Sequence, residues 1–257
     1  MKVKDLKLHP PKILLMGTFG SGKTALSTSA GLGTSVIDLD NGLRTCMTLE
    51  DKFSKQRQDI DVKVCWEENP DKALAFSKAK SFVMAAAEAC RQNKYDGKIL
   101  VLDSYTTLAE GALRSVMRVN GMLGKVPQIQ HWGQCFFELE SLLAQLRSLP
   151  LVVIMIAHCR RVEIEGQASF EIATPGQKLP EKIPSYFDEV WCMRIKGSGS
   201  QKKYLIQTQG TSVIPCRTRG NLSDMTDADL GLKEILKRLG YDLDKSSKQE
   251  EPKIESK

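Results

Sequence analysis

The feature that most constrains the fold is a glycine-rich run of eight residues, Gly17 to Thr24, with the sequence G-T-F-G-S-G-K-T. The apolar run Ile13 to Met16 precedes it and a helical pattern over residues 23–30 follows, which predicts a strand, a loop and a helix in succession. Glycine has no Cβ and accepts positive φ, so such a loop can wrap an anion with backbone N–H groups. The spacing therefore predicts a binding loop for a nucleoside triphosphate.

The predicted nucleotide contacts extend over the whole loop and one residue beyond it. Lys23 is expected to reach the β- and γ-phosphates of ATP, and the Thr24 hydroxyl is expected to bind Mg²⁺. A purely structural alternative is a glycine-rich turn with an incidental lysine. The expected nucleotide-binding residues are Gly17, Thr18, Phe19, Gly20, Ser21, Gly22, Lys23, Thr24 and Ala25.

The composition is compatible with an intracellular nucleotide-binding protein. The chain has 257 residues, of which 41% are apolar, so it can bury a full core. It contains no apolar stretch that would cross a bilayer and no signal-peptide pattern, so we expect a cytoplasmic protein without a membrane partner. Seven widely spaced cysteines indicate reduced thiols rather than a disulfide framework or a zinc site. The net charge of +6 is compatible with a polyanionic partner.

Apolar runs of strand length alternate with helical patterns along the chain. The strand-like runs are 13–16, 35–39, 62–66, 99–102, 151–157, 189–195 and 204–207, and the helical patterns are about 23–30, 71–92, 105–118, 131–148 and 226–239. This alternation predicts an α/β fold with a mostly parallel central sheet flanked by helices. The last two strands are expected to form a C-terminal β-hairpin.

Two parts of the chain fit neither pattern. Residues 119–130 and 159–187 are polar, rich in Gly or Pro and long, which is typical of mobile functional loops. We expect residues 1–243 to form one core with a short N-terminal arm. The charged tail, residues 244–257, is expected to be disordered.

A second motif concerns the metal. The apolar strand Ile99 to Leu102 ends at Asp103, where a carboxylate is expected to hold Mg²⁺ beside the phosphates. The alternative is that Asp103 only caps the next helix. Ser104 follows it, so the Asp-Glu pair typical of AAA+ and ABC ATPases is absent.

The acid that activates water must therefore come from another strand. Val36 to Asp40 carries two alternating carboxylates, Asp38 and Asp40, at the end of a strand where open α/β sheets place their ligands. We expect Asp40 to polarise the attacking water with support from Asp38, the alternative being ordinary polar residues at a strand end. His158 ends the apolar run Leu151 to Ala157 and is expected to sense the γ-phosphate, unless it is an incidental loop histidine.

The order of these motifs resembles the RecA-type ATPases, which include recombinases and hexameric DnaB-type helicases. The resemblance covers residues 10 to 220: the phosphate loop, Ile37 to Asp40 where relatives carry Asp-x-Glu, Leu100 to Ser104, and Ile156 to His158 where relatives end in Asn-Gln or Ser-Gln. It implies a RecA-like fold, ATP and Mg²⁺ as cofactors, and ATPase activity. Asp40 in place of Glu, and His158 in place of the amide, favour slow hydrolysis.

The resemblance also gives the two unassigned segments a role. They stand where RecA-like recombinases carry their two DNA-binding loops, and cations in flexible loops suit the backbone of single-stranded DNA. The predicted DNA contacts are Lys125, Arg160, Arg161, Lys178 and Lys182. The alternative is a set of solvated surface loops or oligomer contacts, because four glutamates dilute the charge of the second segment.

Self-association is implied by a third element. Arg217 and Arg219 resemble the Lys-x-Arg element that RecA-like assemblies present to the nucleotide of a neighbouring subunit, and a guanidinium suits the γ-phosphate. Fingers acting in trans imply a ring or a filament. The alternative is a pair of solvent-facing arginines after a hairpin.

More narrowly, the chain resembles P-loop proteins of bacteriophage genomes, some of them RecA-like single-strand annealing proteins. The residues concerned are Gln130 to Gly133, at the start of a helix, and Ser185 to Val190, before the hairpin. We therefore expect an ATP-binding protein of phage recombination, annealing or repair, acting in the host cytoplasm. Alternatives are an ATPase motor, helicase or loader of phage replication or packaging, and a small-molecule kinase. A GTPase is disfavoured because Asn93 to Asp96 matches N-K-x-D at the wrong place.

Overall fold

The strand that precedes the glycine-rich loop lies inside a large, mostly parallel sheet. A computed structural model describes residues 9–164, 167–176 and 179–244. The strands in this part of the chain are β1 (Lys12–Gly17), β2 (Thr34–Asp38), β3 (Asp61–Val64), β4 (Ile99–Asp103), β5 (Val152–Ile164), β6 (Gln167–Ile172), β7 (Glu189–Lys196), β8 (Lys203–Gln207) and β9 (Met225–Asp227). Their order across the sheet is β3-β2-β4-β5-β1-β7-β8-β9, and β6 pairs with the second half of β5.

The strand directions follow the connections. Strands β1 to β5 and β7 pair in parallel, while β8 and β9 continue the sheet in antiparallel fashion and β6 runs antiparallel to β5. The predicted fold class is confirmed: an α/β protein with a mostly parallel central sheet, flanking helices and a C-terminal hairpin of β7 and β8.

Helices cover both faces of this sheet. They are α1 (Lys23–Ser27), α2 (Arg44–Thr48), α3 (Ser54–Arg57), α4 (Ala75–Arg91), α5 (Tyr105–Val119), α6 (Ile129–Ser148), α7 (Leu179–Lys182) and α8 (Leu232–Arg238). Because side chains alternate along a strand, Leu14 and Met16 of β1 face a core with α4, α5 and α6, whereas Ile13 and Leu15 face a core with α1 and α8. Both faces of β1 are buried, which explains why its sequence is continuously apolar.

The end of the sheet opposite the nucleotide loop is fixed by a buried lysine. Nζ of Lys12 donates to the carbonyl oxygens of Leu149 at 2.8 Å and Pro10 at 3.1 Å, and also to that of Leu151. Burial lowers the pKa of Lys12 to about 8, and the nearby Asp188 opposes that shift. One cation thus joins the first residues of β1 to the turn before β5.

Several sequence predictions need correction. The segment 159–187 was expected to lack regular structure, but β5 continues to Ile164 and pairs with β6, forming a two-stranded ribbon. Sequence periodicity missed it because each strand depends on a partner distant from its own local pattern. The helix predicted over 226–239 is β9, a 3₁₀ turn (Ala228–Leu230) and the short helix α8. Helices α2 and α3 were not predicted.

The other predicted segments lie near their expected places. Residues 120–128 connect α5 and α6 without a strand or helix, and α6 begins at Ile129, two residues before the predicted start. There Nδ1 of His131 accepts the backbone N–H of Gln128 at 3.0 Å, so this histidine caps the helix. The N-terminal residues 1–8 and the predicted tail from residue 245 onward lie outside the described residues.

Candidate functional site

The glycine-rich loop has the backbone that its sequence predicts. It leaves β1 at Gly17 and enters α1 at Lys23, with positive φ at Gly20 (+69°) and Gly22 (+87°). A Cβ on Gly22 would lie 3.2 Å from Cδ1 of Tyr204 in β8, so both conformation and space favour glycine. This geometry leaves backbone N–H groups available to an anion.

Lys23 lies across the loop rather than in solvent. It is buried, and its Nζ donates to the carbonyl oxygens of Gly17 at 3.1 Å and Thr18 at 2.8 Å. Burial lowers the pKa of Lys23, while the charges of Asp103 and Asp40 act in the opposite direction. The ammonium is therefore held over the loop and close to both carboxylates.

Thr24 and Asp103 meet as the sequence predicts. The hydroxyl of Thr24 in α1 donates to Oδ2 of Asp103 at the end of β4, at 2.7 Å. Burial raises the pKa of Asp103 to about 6 although the Thr24 hydrogen bond lowers it, and the charges of Asp40 and Asp38 add to the rise. A hydroxyl and a buried carboxylate that needs a counter-charge form a donor set that suits a hard cation such as Mg²⁺.

Asp38 and Asp40 have different surroundings. Strand β2 ends at Asp38, whose Oδ1 accepts the backbone N–H groups of Asp40 and Gly42, each at 3.2 Å. Burial raises the pKa of Asp38 against these hydrogen bonds. Asp38 therefore shapes the turn that carries Asp40, a supporting contact made through the backbone.

Asp40 faces His158. Its Oδ2 lies 3.2 Å from Nε2 of His158, the residue of β5 opposite Gly17 of β1. Burial raises the pKa of Asp40, but His158 and the hydroxyls of Thr107 and Ser104 favour the charged form and lower it overall. Asp40 is thus an ionised carboxylate whose orientation depends on an imidazole. The Phe19 ring stacks on that imidazole, with centroids 4.4 Å apart and an angle of 27° between the rings.

Most of the side chains described above, though not that of Asp38, line one cavity of about 550 Å³. Seven of the nine predicted nucleotide-binding residues, Phe19 to Ala25, line this cavity together with Asp40, Asp103 and His158. Gly17 and Thr18 line a separate, smaller cavity. The cavity of about 550 Å³ has further walls that the sequence did not indicate. They come from the connection between α2 and α3, from α3 itself, from β7 and β8, and from the 3₁₀ turn after β9. These additional residues are Leu49, Asp51, Phe53, Arg57, Met193, Tyr204, Ala228 and Asp229.

The wall formed by α3 is fixed by a buried arginine. Nη1 and Nη2 of Arg57 donate to the two carboxylate oxygens of Asp51 at 2.5 and 2.9 Å. Nη2 also donates to the carbonyl of Ala25 at 3.0 Å, and Nε donates to Thr28 Oγ1 at 3.3 Å. Arg57 therefore connects this wall to α1. A charged pair at 51 and 57 between polar neighbours gave no sequence signal that would distinguish it from a surface pair.

The predicted DNA-binding residues do not share one environment. Arg160 donates to Glu171 across the ribbon, with Nε at 2.7 Å and Nη2 at 2.6 Å from Oε1, and Nζ of Lys182 donates to Glu140 at 2.6 Å. Arg161 lies on the ribbon opposite Phe170 and is exposed, as is Lys125 in the 120–128 connection. Lys178 lies outside the described residues. All four described cations are exposed, and Arg160 and Lys182 are the two that pair with carboxylates. The predicted DNA contact thus stays a prediction.

Arg217 and Arg219 lie at the end of the sheet opposite the phosphate loop. Arg217 pairs through its backbone with Val190 near the start of β7, and its Nη2 donates to the carbonyl oxygens of Pro184 at 3.1 Å and Phe187. Nη1 of Arg219 donates to Asp188 Oδ1 at 2.8 Å, and its side chain is 60% exposed. Arg217 is engaged within its own chain, and the predicted role of both residues in trans stays a prediction.

Among the described residues, no helix combines the length and the apolar character that spanning a bilayer requires. No cluster of three or more His, Cys, Asp or Glu side chains in the same part of the chain could hold a metal ion by itself. A cation at Thr24 and Asp103 would therefore take its remaining ligands from phosphate oxygens and water.

Two similar solved structures are an ATPase from the type III secretion system of pathogenic bacteria and a KaiC-like protein from the archaeon Pyrococcus horikoshii OT3. The first is 15% identical with a TM-score of 0.45 over 72% of this chain, which spans about half (52%) of that ATPase. The second is 13% identical with a TM-score of 0.38 over 77% of both chains. No curated protein sequence matches the chain.

The family comparison is more extensive. The sequence matches the family AAA_24, described as an AAA domain, over residues 9–220. That region contains the phosphate loop, Asp40, Asp103, His158 and the ribbon, and it covers most of the chain. Asp103 is followed by Ser104 rather than by a second acid. The chain belongs to the AAA_24 family of AAA domains, and its phosphate loop lies with Asp40, Asp103 and His158 around one cavity.

Proposed function

We propose that this protein binds and slowly hydrolyses Mg²⁺-ATP and acts on single-stranded DNA in phage recombination, annealing or repair. The observation that carries the proposal is the meeting of Asp40 and His158 at 3.2 Å beside the phosphate loop, at the residue where β5 leaves the sheet core and becomes the ribbon. One strand thus joins the nucleotide site to an exposed element that carries two arginines, Arg160 and Arg161.

For ATP, each side chain has one task. The loop N–H groups and Lys23 bind the phosphates, and the ionised Asp40 polarises the attacking water. Bound Mg²⁺, held by Thr24 and Asp103, would neutralise charge on the β- and γ-phosphate oxygens. Asp40 has one methylene fewer than glutamate, so its reach to the water is shorter and the expected hydrolysis is slow.

For DNA, the position of two exposed arginines supports the ribbon. Arg161 is exposed on β5 three residues after His158, and Arg160 lies beside it in a pair with Glu171. A phosphate group competes well with a partly exposed carboxylate for a guanidinium, because exposed ion pairs contribute little. Backbone neutralisation by such cations suits single-stranded DNA without base readout.

For assembly, we propose a ring or a filament. Arg219 is the better candidate for contact with the nucleotide of a neighbouring subunit. Its side chain is 60% exposed, and its guanidinium pairs only with the partly exposed Asp188 in the described chain. Arg217 would have to release two backbone carbonyls first. The phosphate loop and Arg219 lie at opposite ends of the sheet, an arrangement compatible with a head-to-tail contact.

The test measures ATP hydrolysis, DNA affinity and particle size together, with and without single-stranded DNA. We expect DNA to increase both the hydrolysis rate and the particle size. The double variant Arg160→Glu/Arg161→Glu should weaken DNA binding and flatten its salt dependence by about 0.7 in slope for each lost phosphate contact. Arg91→Glu is the matched control, since Arg91 is an exposed arginine that pairs with Glu88 on α4.

The outcomes separate the proposal from its competitors. Unchanged DNA affinity and salt slope in the ribbon variant would remove the ribbon from DNA binding. ATP-dependent separation of duplex strands would instead support a helicase or motor. Turnover that ignores DNA and requires a phosphoryl acceptor would support a small-molecule kinase.

A further inference from the structure

The phosphate loop carries an aromatic ring that its motif does not require. Phe19 stands at a variable position between Gly17 and Gly20 in the run G-T-F-G-S-G-K-T. Its side chain is 81% exposed, and its ring nevertheless stacks on the His158 imidazole at 4.4 Å between centroids. Because an exposed phenyl ring gains little from burial, this contact is the main interaction that the structure gives it.

Hydrogen bonds anchor the His158 imidazole only in part. The backbone N–H of His158 donates to Thr106 Oγ1 at 3.1 Å, which fixes the main chain but not the ring. The ring has Nε2 at 3.2 Å from Asp40 Oδ2, while Nδ1 is buried without a hydrogen-bond partner among the described residues. A rotation of the ring would therefore break its contact with Asp40 and meet little resistance from other hydrogen bonds.

The ionised state of Asp40 determines which atom donates in its hydrogen bond with His158. A carboxylate only accepts hydrogen bonds when ionised, so the proton of the contact resides on Nε2 of His158. The ring plane must then direct that N–H at Asp40. The Phe19 ring stacks on the face of the imidazole and thereby restricts the plane of that ring. It does not cover either ring nitrogen, so Nε2 can still donate to Asp40.

We propose that Phe19 is a positioning residue: its ring holds the His158 imidazole in the orientation in which Nε2 donates to Asp40, so the phosphate loop itself orients the acid that polarises water. The inference deepens the proposed ATP hydrolysis and rests on it for its kinetic consequence. A base oriented by a third group is a recurrent arrangement in catalysis. Here the orienting group belongs to the loop that binds the phosphates.

The kinetic test compares Phe19→Leu with Phe19→Tyr. Leucine keeps an apolar side chain without a ring, and tyrosine keeps the stacked ring. Phe19→Leu should lower kcat for ATP about three- to tenfold, as expected from the loss of one aromatic contact. The nucleotide Kd should change by no more than about twofold, because the loop binds phosphates through its backbone and Lys23. Phe19→Tyr should restore kcat, and Phe19→Leu should have no further effect in a His158→Ala background.

A second readout does not depend on turnover. The chain has three histidines, His9, His131 and His158, so His158→Ala identifies the His158 ring signals in an NMR spectrum. A stacked phenyl ring shifts these signals upfield. Phe19→Leu should remove that shift, Phe19→Tyr should retain it, and Asp40→Asn should move the same signals. His131 is the internal control, because it caps α6 away from the loop.

The two experiments separate two kinds of failure. Absence of hydrolysis in the wild-type protein, with or without DNA, would refute the proposed ATPase, and the NMR shift would still decide whether Phe19 orients His158. Unchanged His158 signals in Phe19→Leu would overturn the positioning role. So would an unchanged kcat, or a loss of nucleotide affinity that accounts for the whole effect.

Discussion

Replacing Asp103 with asparagine should stabilise the nucleotide-free protein while removing its response to Mg²⁺. The Asp103 side chain is 3% exposed, and burial raises its pKa from 3.8 to about 6. At 1.36 kcal/mol per pKa unit, the ionised carboxylate destabilises the folded state by about 3 kcal/mol at pH 7.5. Asparagine has nearly the same shape and can still accept the Thr24 hydroxyl. Because the amide keeps a desolvation cost of its own, we expect a net gain of about 1–3 kcal/mol.

The raised pKa of Asp103 determines how the stability gained by Asp103→Asn changes with pH. A raised pKa means that the folded state keeps the proton of Asp103 between about pH 4 and pH 6, where the unfolded chain has released it. The destabilising contribution is therefore absent below about pH 4 and complete above about pH 6. The advantage of Asp103→Asn should grow across this interval and then level off.

The assay is urea or thermal unfolding in EDTA at several pH values, followed by the same measurement with ATP and with Mg²⁺-ATP. For a chain of this length, the expected gain corresponds to about 2–9 °C in Tm. Wild-type protein should gain further stability when Mg²⁺ is added to ATP, and Asp103→Asn should not. Asp61→Asn is the control, since Asp61 is an exposed carboxylate on the edge strand β3. An equal or lower stability of Asp103→Asn at pH 7.5, or an intact Mg²⁺ response, would refute the reasoning.

Three further substitutions test other parts of the site. Lys23→Ala should abolish ATP binding in a direct titration, since it removes the buried ammonium held over the loop, and retained affinity would refute the phosphate-loop assignment. Asp40→Asn should leave the ATP Kd within about twofold and reduce kcat by about 10²-fold or more, because it removes the ionised acid; unchanged turnover would exclude Asp40 from that role. Arg57→Met should destabilise the fold by about 2–4 kcal/mol in urea unfolding, since it removes the buried guanidinium that joins Asp51 to the Ala25 carbonyl. Lys55→Met on α3 is its control, and equal stability of the two variants would contradict the proposed connection to α1.

The nucleotide side of the molecule could be predicted from sequence because its determinants are local. A glycine pattern, the lysine and threonine that follow it, and Asp103 at the end of an apolar strand each depend on the backbone of their own segment. The parallel sheet then brings Thr24, Asp40, Asp103 and His158 to one edge, since successive parallel strands end on the same side. Order along the chain was therefore enough to place them together.

The rest of the site depends on contacts between distant segments. The ribbon needs the pairing of Cys159–Ile164 with Gln167–Ile172, and its charged residues resemble a polar loop when they are read alone. The Asp51–Arg57 wall depends on how two very short helices approach α1. The helical pattern over 226–239 was divided because Met225–Asp227 pairs with β8 and Gly231 has φ +79°. In each case a tertiary partner overrides the local pattern.

The continuity of β5 has a mechanical consequence. The strand is clamped near its start by Lys12 and carries His158 near its middle, and its last six residues extend beyond β1 for about 20 Å. If β5 moves as one rigid strand, a tilt of about 5° at His158 displaces Ile164 by about 1.7 Å over that length. The ribbon is braced by Val213, whose carbonyl accepts Phe170 N–H at 2.8 Å and Ser169 Oγ at 2.9 Å. Val213 is only four residues from Arg217, so such a tilt of β5 would displace both the ribbon and the segment that carries Arg217.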